Sequence, residues 1–314
     1  MAACDAADGR MNHLFVFGAG FSAAHAAALD AGMFETVTGT TRSPEKFGAL
    51  SAQGIKPAVF DGTLDAEGQS ALAQATHLLV SIAPSEEGDP VLNACSDMLA
   101  SSARLQWVCY LSTVGVYGNH DGAWVTEEIE CRPVSKRSKQ RIAAERTWQE
   151  FCRQNNVGLS IFRLSGIYGP GRNTFVNIGK GTARRLVKPG QVFNRIHRDD
   201  IAQAFGRAAK IKAEGIFNIT DDEPAPPQDV VTCAYSLAGK NPPPEMDFEH
   251  ADLTPMARSF YGENKRVSNA KSKRVLGMRY EWPDYRTALS RMWEDGSWEG
   301  QLRRPRNRSR HSQR

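Results

Sequence analysis

No apolar stretch among the 314 residues approaches the roughly 20 needed to cross a bilayer. The N-terminus, MAACDAADGR, places Asp5 and Asp8 where a secretory signal would carry basic residues ahead of a long apolar run. Both absences point to the cytoplasm and away from a membrane partner. Paired cysteines are also missing. The six fall at positions 4, 95, 109, 131, 152 and 233, none as C-x-x-C and none grouped with histidines at zinc-ligand spacing. Several sit in apolar runs, such as Cys109 within Trp107–Leu111, so reduced structural thiols are expected, with no disulfide framework and no metal site. A basic body is the third absence. The formal charge is +4, yet Arg303–Arg314 holds six arginines and no acid, and setting it aside leaves 33 basic against 35 acidic residues. That segment lacks interleaved aromatics, which argues against a nucleic-acid partner. Residues 299–314 are expected to be a solvated, disordered tail.

What is present is the composition of a globular domain: 41% hydrophobic and 24% charged residues, in a chain long enough for a sizeable core. After a loose arm over residues 1–12, apolar runs alternate with helix-like stretches. Strands are expected at His13–Phe17, Thr36–Thr40, Ile55–Phe60, His77–Ile82, Gln106–Leu111 and Leu159–Leu164. Most are near-continuous apolar runs, as in parallel strands covered on both faces. Between them lie the Ala-rich Phe21–Ala31, a helix start at Ser43-Pro44-Glu45, and Lys136–Gln154. Right-handed βαβ units over this length imply an α/β fold with a doubly wound parallel Rossmann sheet. Beyond Gly166 the pattern loosens. Asp199–Lys212, Ser268–Leu276 and Pro283–Trp293 look helical, Gly215–Thr220 looks like one more strand, and Asp222–Pro227 and Asn241–Pro244 look like proline-rich loops. The expected organisation is a dinucleotide-binding core over 13–168, to which 196–220 returns, and a small C-terminal substrate-side lobe formed by 169–195 and 221–298.

The strongest local signal is Phe15-Val16-Phe17-Gly18-Ala19-Gly20-Phe21-Ser22-Ala23, a strand, a G-x-G-x-x-A turn and a helix start. The first glycine makes the tight turn, the second lets the backbone approach a pyrophosphate, and Ala23 permits close helix–strand contact. The competing explanation is a glycine-rich turn that binds nothing. Nucleotide choice is read at the end of the second strand, where an NAD site usually carries a carboxylate for the ribose 2′-hydroxyl. Here Thr41, Arg42 and Ser43 stand there with no acid, which suits a 2′-phosphate. NADP(H) is therefore the expected cofactor and NAD(H) the alternative; a solvated Arg42 at a helix start is the bland account.

Several phrases in order carry a resemblance: Gly18–Ala23, Asp61-Gly62, Leu111–Gly118 (LSTVGVYG), Arg163–Arg172 (RLSGIYGPGR), Arg195–Ala202 and Phe217–Asp221. Over about residues 13–290 the chain resembles the extended short-chain dehydrogenase/reductase superfamily, the NAD-dependent epimerase/dehydratase-like proteins. The resemblance implies a sheet of about seven strands, an adenine-side contact at Asp61-Gly62, a nicotinamide-side turn at Ser81-Ile82-Ala83, and the strand end Leu164–Ile167 beside the nicotinamide. It assigns the catalytic hydroxyl to Thr113. Tyr117 and Tyr168 are expected to be packing residues, His197 a structural hydrogen-bonding residue, and His25 a surface or satisfied one. The family's Tyr-x-x-x-Lys pair maps onto Ser135 and Lys139, so the lysine is kept and the phenol replaced by a serine that is shorter and far less acidic. In this the chain resembles the superfamily's atypical branch. The resemblance also implies a homodimer through helices near Pro90–Ala103 and Ser135–Asn155.

Three functions stay open on these residues. The first is an NADP(H)-dependent oxidoreductase or epimerase/dehydratase-like enzyme on a small molecule, using Thr113 and Lys139, with the loop Gly171–Gly181 on the substrate side. The second is a catalytically silent NADP(H)-binding redox sensor or regulator. The third and weakest is nucleic-acid binding through the tail. Arg172, Arg184, Arg185 and Arg195 lie in the substrate half, where they would meet an anionic ligand or serve as surface charge.

Overall fold

The computed structural model describes residues 12–300; nearly all of the expected arm and of the expected tail lies outside the described residues. Seven parallel strands form the central sheet: β1 (His13–Phe17), β2 (Thr36–Thr41), β3 (Lys56–Val59), β4 (His77–Val80), β5 (Trp107–Thr113), β6 (Gly158–Leu164) and β7 (Gly215–Ile219). Their spatial order is β7-β6-β5-β4-β1-β2-β3, the doubly wound Rossmann arrangement expected from the βαβ pattern.

The two faces of the sheet follow from the period of two along each strand. In β1, Leu14 and Val16 turn to one face, where α1 (Ala23–Leu29) and the later helix Arg198–Ile211 pack through alanines and Phe205. Phe15 and Phe17 turn to the other, against the helices Ala66–Ala73, Pro90–Ala100 and Lys136–Gln154. In chain order these helices are α3, α4 and α5, α2 being Phe47–Ser51, and Arg198–Ile211 is α7 after α6 at Thr174–Gly179. Short polar residues start them: Asp65 accepts from Gly68 N at 2.8 Å and Asp89 from Val91 N at 3.0 Å. Cys95, Cys109 and Cys152 are buried in the two faces of the core.

The C-terminal segments build a smaller third cluster. Phe175, Val230, Trp282, Tyr285, Leu289 and Met292 pack together where α6 meets α8 (Pro227–Leu237) and the last helix, Tyr285–Asp295. Here the structure departs from the sequence expectation. The prolines at 226 and 227 read as a loop, but Pro227 occupies the first turn of α8, where a missing N–H costs nothing. Short parallel pairs join Gly166–Tyr168 with Arg195–His197 and Arg185–Val187 with Glu245–Asp247, strands too short to carry a readable period in the sequence. No helix among the described residues is long and apolar enough to cross a membrane.

Candidate dinucleotide groove and adjoining cavity

Because the strands are parallel, their C-terminal ends share one edge of the sheet, and the chain order reverses between β1 and β4. Open α/β sheets form a crevice at such a switch point. A groove of about 730 Å³ opens there, lined by Gly18, Ala19 and Gly20 after β1, Thr41 and Arg42 from β2 onward, Asp61 and Gly62 after β3, and Ser81, Ile82 and Ala83 after β4. Gly18 has φ 83°, and a Cβ there would stand 2.9 Å from Ile82 Cγ1, so only glycine fits. A Cβ at Gly20 would meet nothing nearer than 3.9 Å. The residues thus fit a dinucleotide: the backbone is bare where a diphosphate needs to approach. The turn is pinned by a residue the sequence reading passed over. Thr40 Oγ1 accepts from Gly18 N at 2.9 Å, and Thr40 O accepts from Ala19 N at 2.8 Å. Lys46, also not singled out, lines the groove beside the exposed Arg42.

Other expected contacts do not line the groove. Ser43 donates its N–H to Thr41 Oγ1 at 3.2 Å, shaping the loop behind it. Ser22 is buried at the start of α1. The ring of Phe21 carries the guanidinium of Arg172 at 5.7 Å and that of Arg198 at 5.2 Å.

A second cavity, of about 790 Å³, lies at the ends of β5 and β6. Thr113, Leu164 and Ile167 border it, with Tyr168, Arg172 and Arg195. Of the three catalytic candidates, Thr113 alone reaches it. Its Oγ1 accepts from Gly115 N at 3.1 Å, capping the turn Val114–Tyr117. Ser135 is the N-cap of α5: its Oγ accepts from Ser138 N at 3.1 Å and donates to Ser138 Oγ at 2.9 Å. The buried Ser138 brings this pair close to Thr113, since both hydroxyls lie within 3.5 Å of the point where a Cβ of Gly115 would stand. Lys139, one position on, is exposed and borders neither space.

Behind Thr113 a buried network ties β5, α5 and β6. Ser112 donates to Glu145 Oε1, and Arg163 Nη2 donates to Glu145 Oε2 at 2.7 Å. The Arg163 guanidinium lies 4.8 Å over the Tyr117 ring, whose hydroxyl donates to Asn218 Oδ1 at 2.7 Å. Tyr117 is therefore a packing residue, as expected. Tyr168 is not only that: it borders the cavity with its hydroxyl buried and unpartnered, and burial raises its pKa. His197 caps α7, accepting from Asp199 N at 3.3 Å, and stacks on Trp282 at 4.2 Å. Burial lowers its pKa to about 4, against the opposing pull of Asp199. His25 pairs with Asp199 at 2.7 Å. The four arginines are not one cluster. Arg172 and Arg195 border the cavity, whereas Arg184 donates to Asp252 O and Arg185 pairs with Glu245. Arg195 Nη1 donates to Phe193 O at 2.9 Å and Ala225 O at 3.1 Å.

The fold, the glycine turn and the groove at the switch point define a Rossmann-type protein. The model of the NAD dependent epimerase/dehydratase family matches residues 89–220. A conserved protein of unknown function from Silicibacter pomeroyi is 44% identical, with 91% of this chain and 99% of that one aligned at a TM-score of 0.83. UDP-glucuronic acid 4-epimerase from Bacillus cereus, in complex with NAD, is 15% identical over 93% of this chain and 100% of its own, at a TM-score of 0.69. dTDP-glucose 4,6-dehydratase from Bacillus anthracis, also with NAD, is 14% identical over 92% and 96%, at 0.73. No curated protein sequence matches the chain. The chain belongs to the NAD dependent epimerase/dehydratase family.

Proposed function

We propose that the chain binds NADP(H) in the groove and acts as an oxidoreductase or epimerase/dehydratase-like enzyme on a small anionic molecule held in the adjoining cavity. The observation that carries this reading is the placement of the two spaces on neighbouring strands. Val80 of β4 pairs with Tyr110 of β5, so the groove-lining Ser81–Ala83 and the cavity-lining Thr113 leave the same edge of the sheet. Structural relatives that carry NAD support a nicotinamide cofactor, which when bound supplies a hydride acceptor or donor. In this reading the Gly18–Gly20 backbone receives the diphosphate, Arg42 and Lys46 take the 2′-phosphate, and Asp61-Gly62 meet the adenine side. Leu164 and Ile167 keep water from the reacting centre, Thr113 presents its hydroxyl to the substrate, and Arg195 favours a negative charge in the cavity.

Isothermal titration with NADPH and NADH tests the cofactor half. Arg42→Ala is expected to weaken NADPH by about 1.5–3 kcal/mol, the worth of a charge-assisted hydrogen bond, and to leave NADH unchanged. Equal affinity of the wild type for both, or a preference for NADH, refutes the assignment. A second reading, a catalytically silent NADP(H)-binding sensor, is favoured by Ser135, whose hydroxyl is engaged as donor and acceptor in capping α5. Substrate screening by NADPH absorbance separates the two: tight binding with no turnover supports the sensor.

A further inference from the structure

We propose that Arg172 and Arg198 bind the diphosphate of the dinucleotide, so that residues outside the glycine turn contribute to cofactor affinity; the proposal rests on the cofactor reading above. Phe21 directly follows Gly20, and its half-buried ring collects two guanidinium groups, at 5.7 and 5.2 Å. Stacking engages the face of a guanidinium and leaves the N–H groups around its edge free to donate. Arg172 is exposed, and its guanidinium has no hydrogen bond or ion pair with any other described residue. Arg198 approaches Asp199 at 3.6 Å, but that carboxylate is already held by His25 at 2.7 Å, and Arg198 Nε is buried without a hydrogen-bond partner.

Two cations therefore share one ring beside the bare backbone of the turn, with a single carboxylate that is otherwise engaged. Such a pair repels itself until an anion arrives, and the anion that the neighbouring Gly18–Gly20 turn is shaped to receive is a diphosphate. The arginines come from separate places, the loop after Gly166–Tyr168 and the first turn of α7, so the site exists only in the folded chain. Because Arg172 also borders the cavity, a phosphate on the substrate offers the same chemistry from another source.

The test is isothermal titration of wild type, R172A and R198A with NADPH, NADH, ADP-ribose and, as a probe of the cavity, UDP. The expected result is a loss of about tenfold or more in affinity for NADPH, NADH and ADP-ribose alike, with a shallower salt dependence in each variant. This differs from Arg42→Ala, which is expected to affect NADPH alone. Arg172 is exposed, so R172A keeps the fold whatever Arg198→Ala does. Unchanged affinity of R172A for NADPH, NADH and ADP-ribose overturns the proposal. A loss confined to UDP places the arginines on the substrate and overturns it too. A wild type that binds neither cofactor nor ADP-ribose overturns the cofactor reading itself, and is told apart by failing before any substitution is made.

Discussion

Removing the carboxylate of Glu145 should be among the most damaging single changes this chain can suffer. Glu145 and Arg163 retain 1% and 4% side-chain exposure, and their closest contact is 2.7 Å. Arg163 Nη1 is already buried without a hydrogen-bond partner, so Glu145→Ala leaves the guanidinium with no compensating charge beyond its stacking on Tyr117. Breaking one side of a buried pair in this way costs about 3–5 kcal/mol. At an unfolding entropy of about 2.1 cal/mol/K per residue, a chain of this size changes by about 0.6 kcal/mol per degree, so the melting temperature should fall by about 5–8 °C. Differential scanning calorimetry reads this directly. The double variant Glu145→Leu, Arg163→Met removes both charges and should recover most of the loss, since two apolar side chains satisfy each other where a lone cation cannot. Cofactor affinity should survive in both, because the groove is built from the ends of β1 to β4 and the pair sits between α5 and β6. A shift below about 1.5 °C for Glu145→Ala, or a double variant no more stable than the single, would refute the reasoning.

Ser135→Ala removes the N-cap of α5 and should lower stability by about 1 kcal/mol, or about 1–2 °C, while changing neither NADPH affinity nor any residual turnover; abolition of a robust activity would make the serine catalytic and this account wrong. The pH dependence of stability should carry the mark of His197. Its pKa in the fold is about 4 against 6.5 when free, so its contribution is complete above pH 6.5 and is lost as the pH falls towards 4, by up to about 3 kcal/mol. Asp200, raised by burial to about 6, runs the other way over the same range. The measurement is therefore the difference between wild type and His197→Asn at pH 7 and at pH 4.5, and identical slopes would sink the prediction.

Much of the fold was legible because it rests on near neighbours. The near-continuous apolar run in His13–Phe17, the run Lys136–Gln154 and the turn Gly18–Gly20 each carry their own signal, through hydrophobicity, propensity and the need for a positive φ at Gly18. Ser135 was legible only as the residue at the family's tyrosine position; that it caps the helix Lys136–Gln154 comes from the structure. By itself, then, the sequence determined the alternating strands and helices of the central sheet, the glycine turn and the family. Only the tertiary structure decided that Glu145 meets Arg163, that Thr40 pins the turn, that Arg172 and Arg195 border the cavity while Arg184 and Arg185 do not, and that Arg172 and Arg198 converge on Phe21. Each of those contacts joins residues on separate elements. Local propensity acts over a few residues, whereas such contacts depend on how strands and helices cross, so their partners exist only once the sheet has been wound and covered.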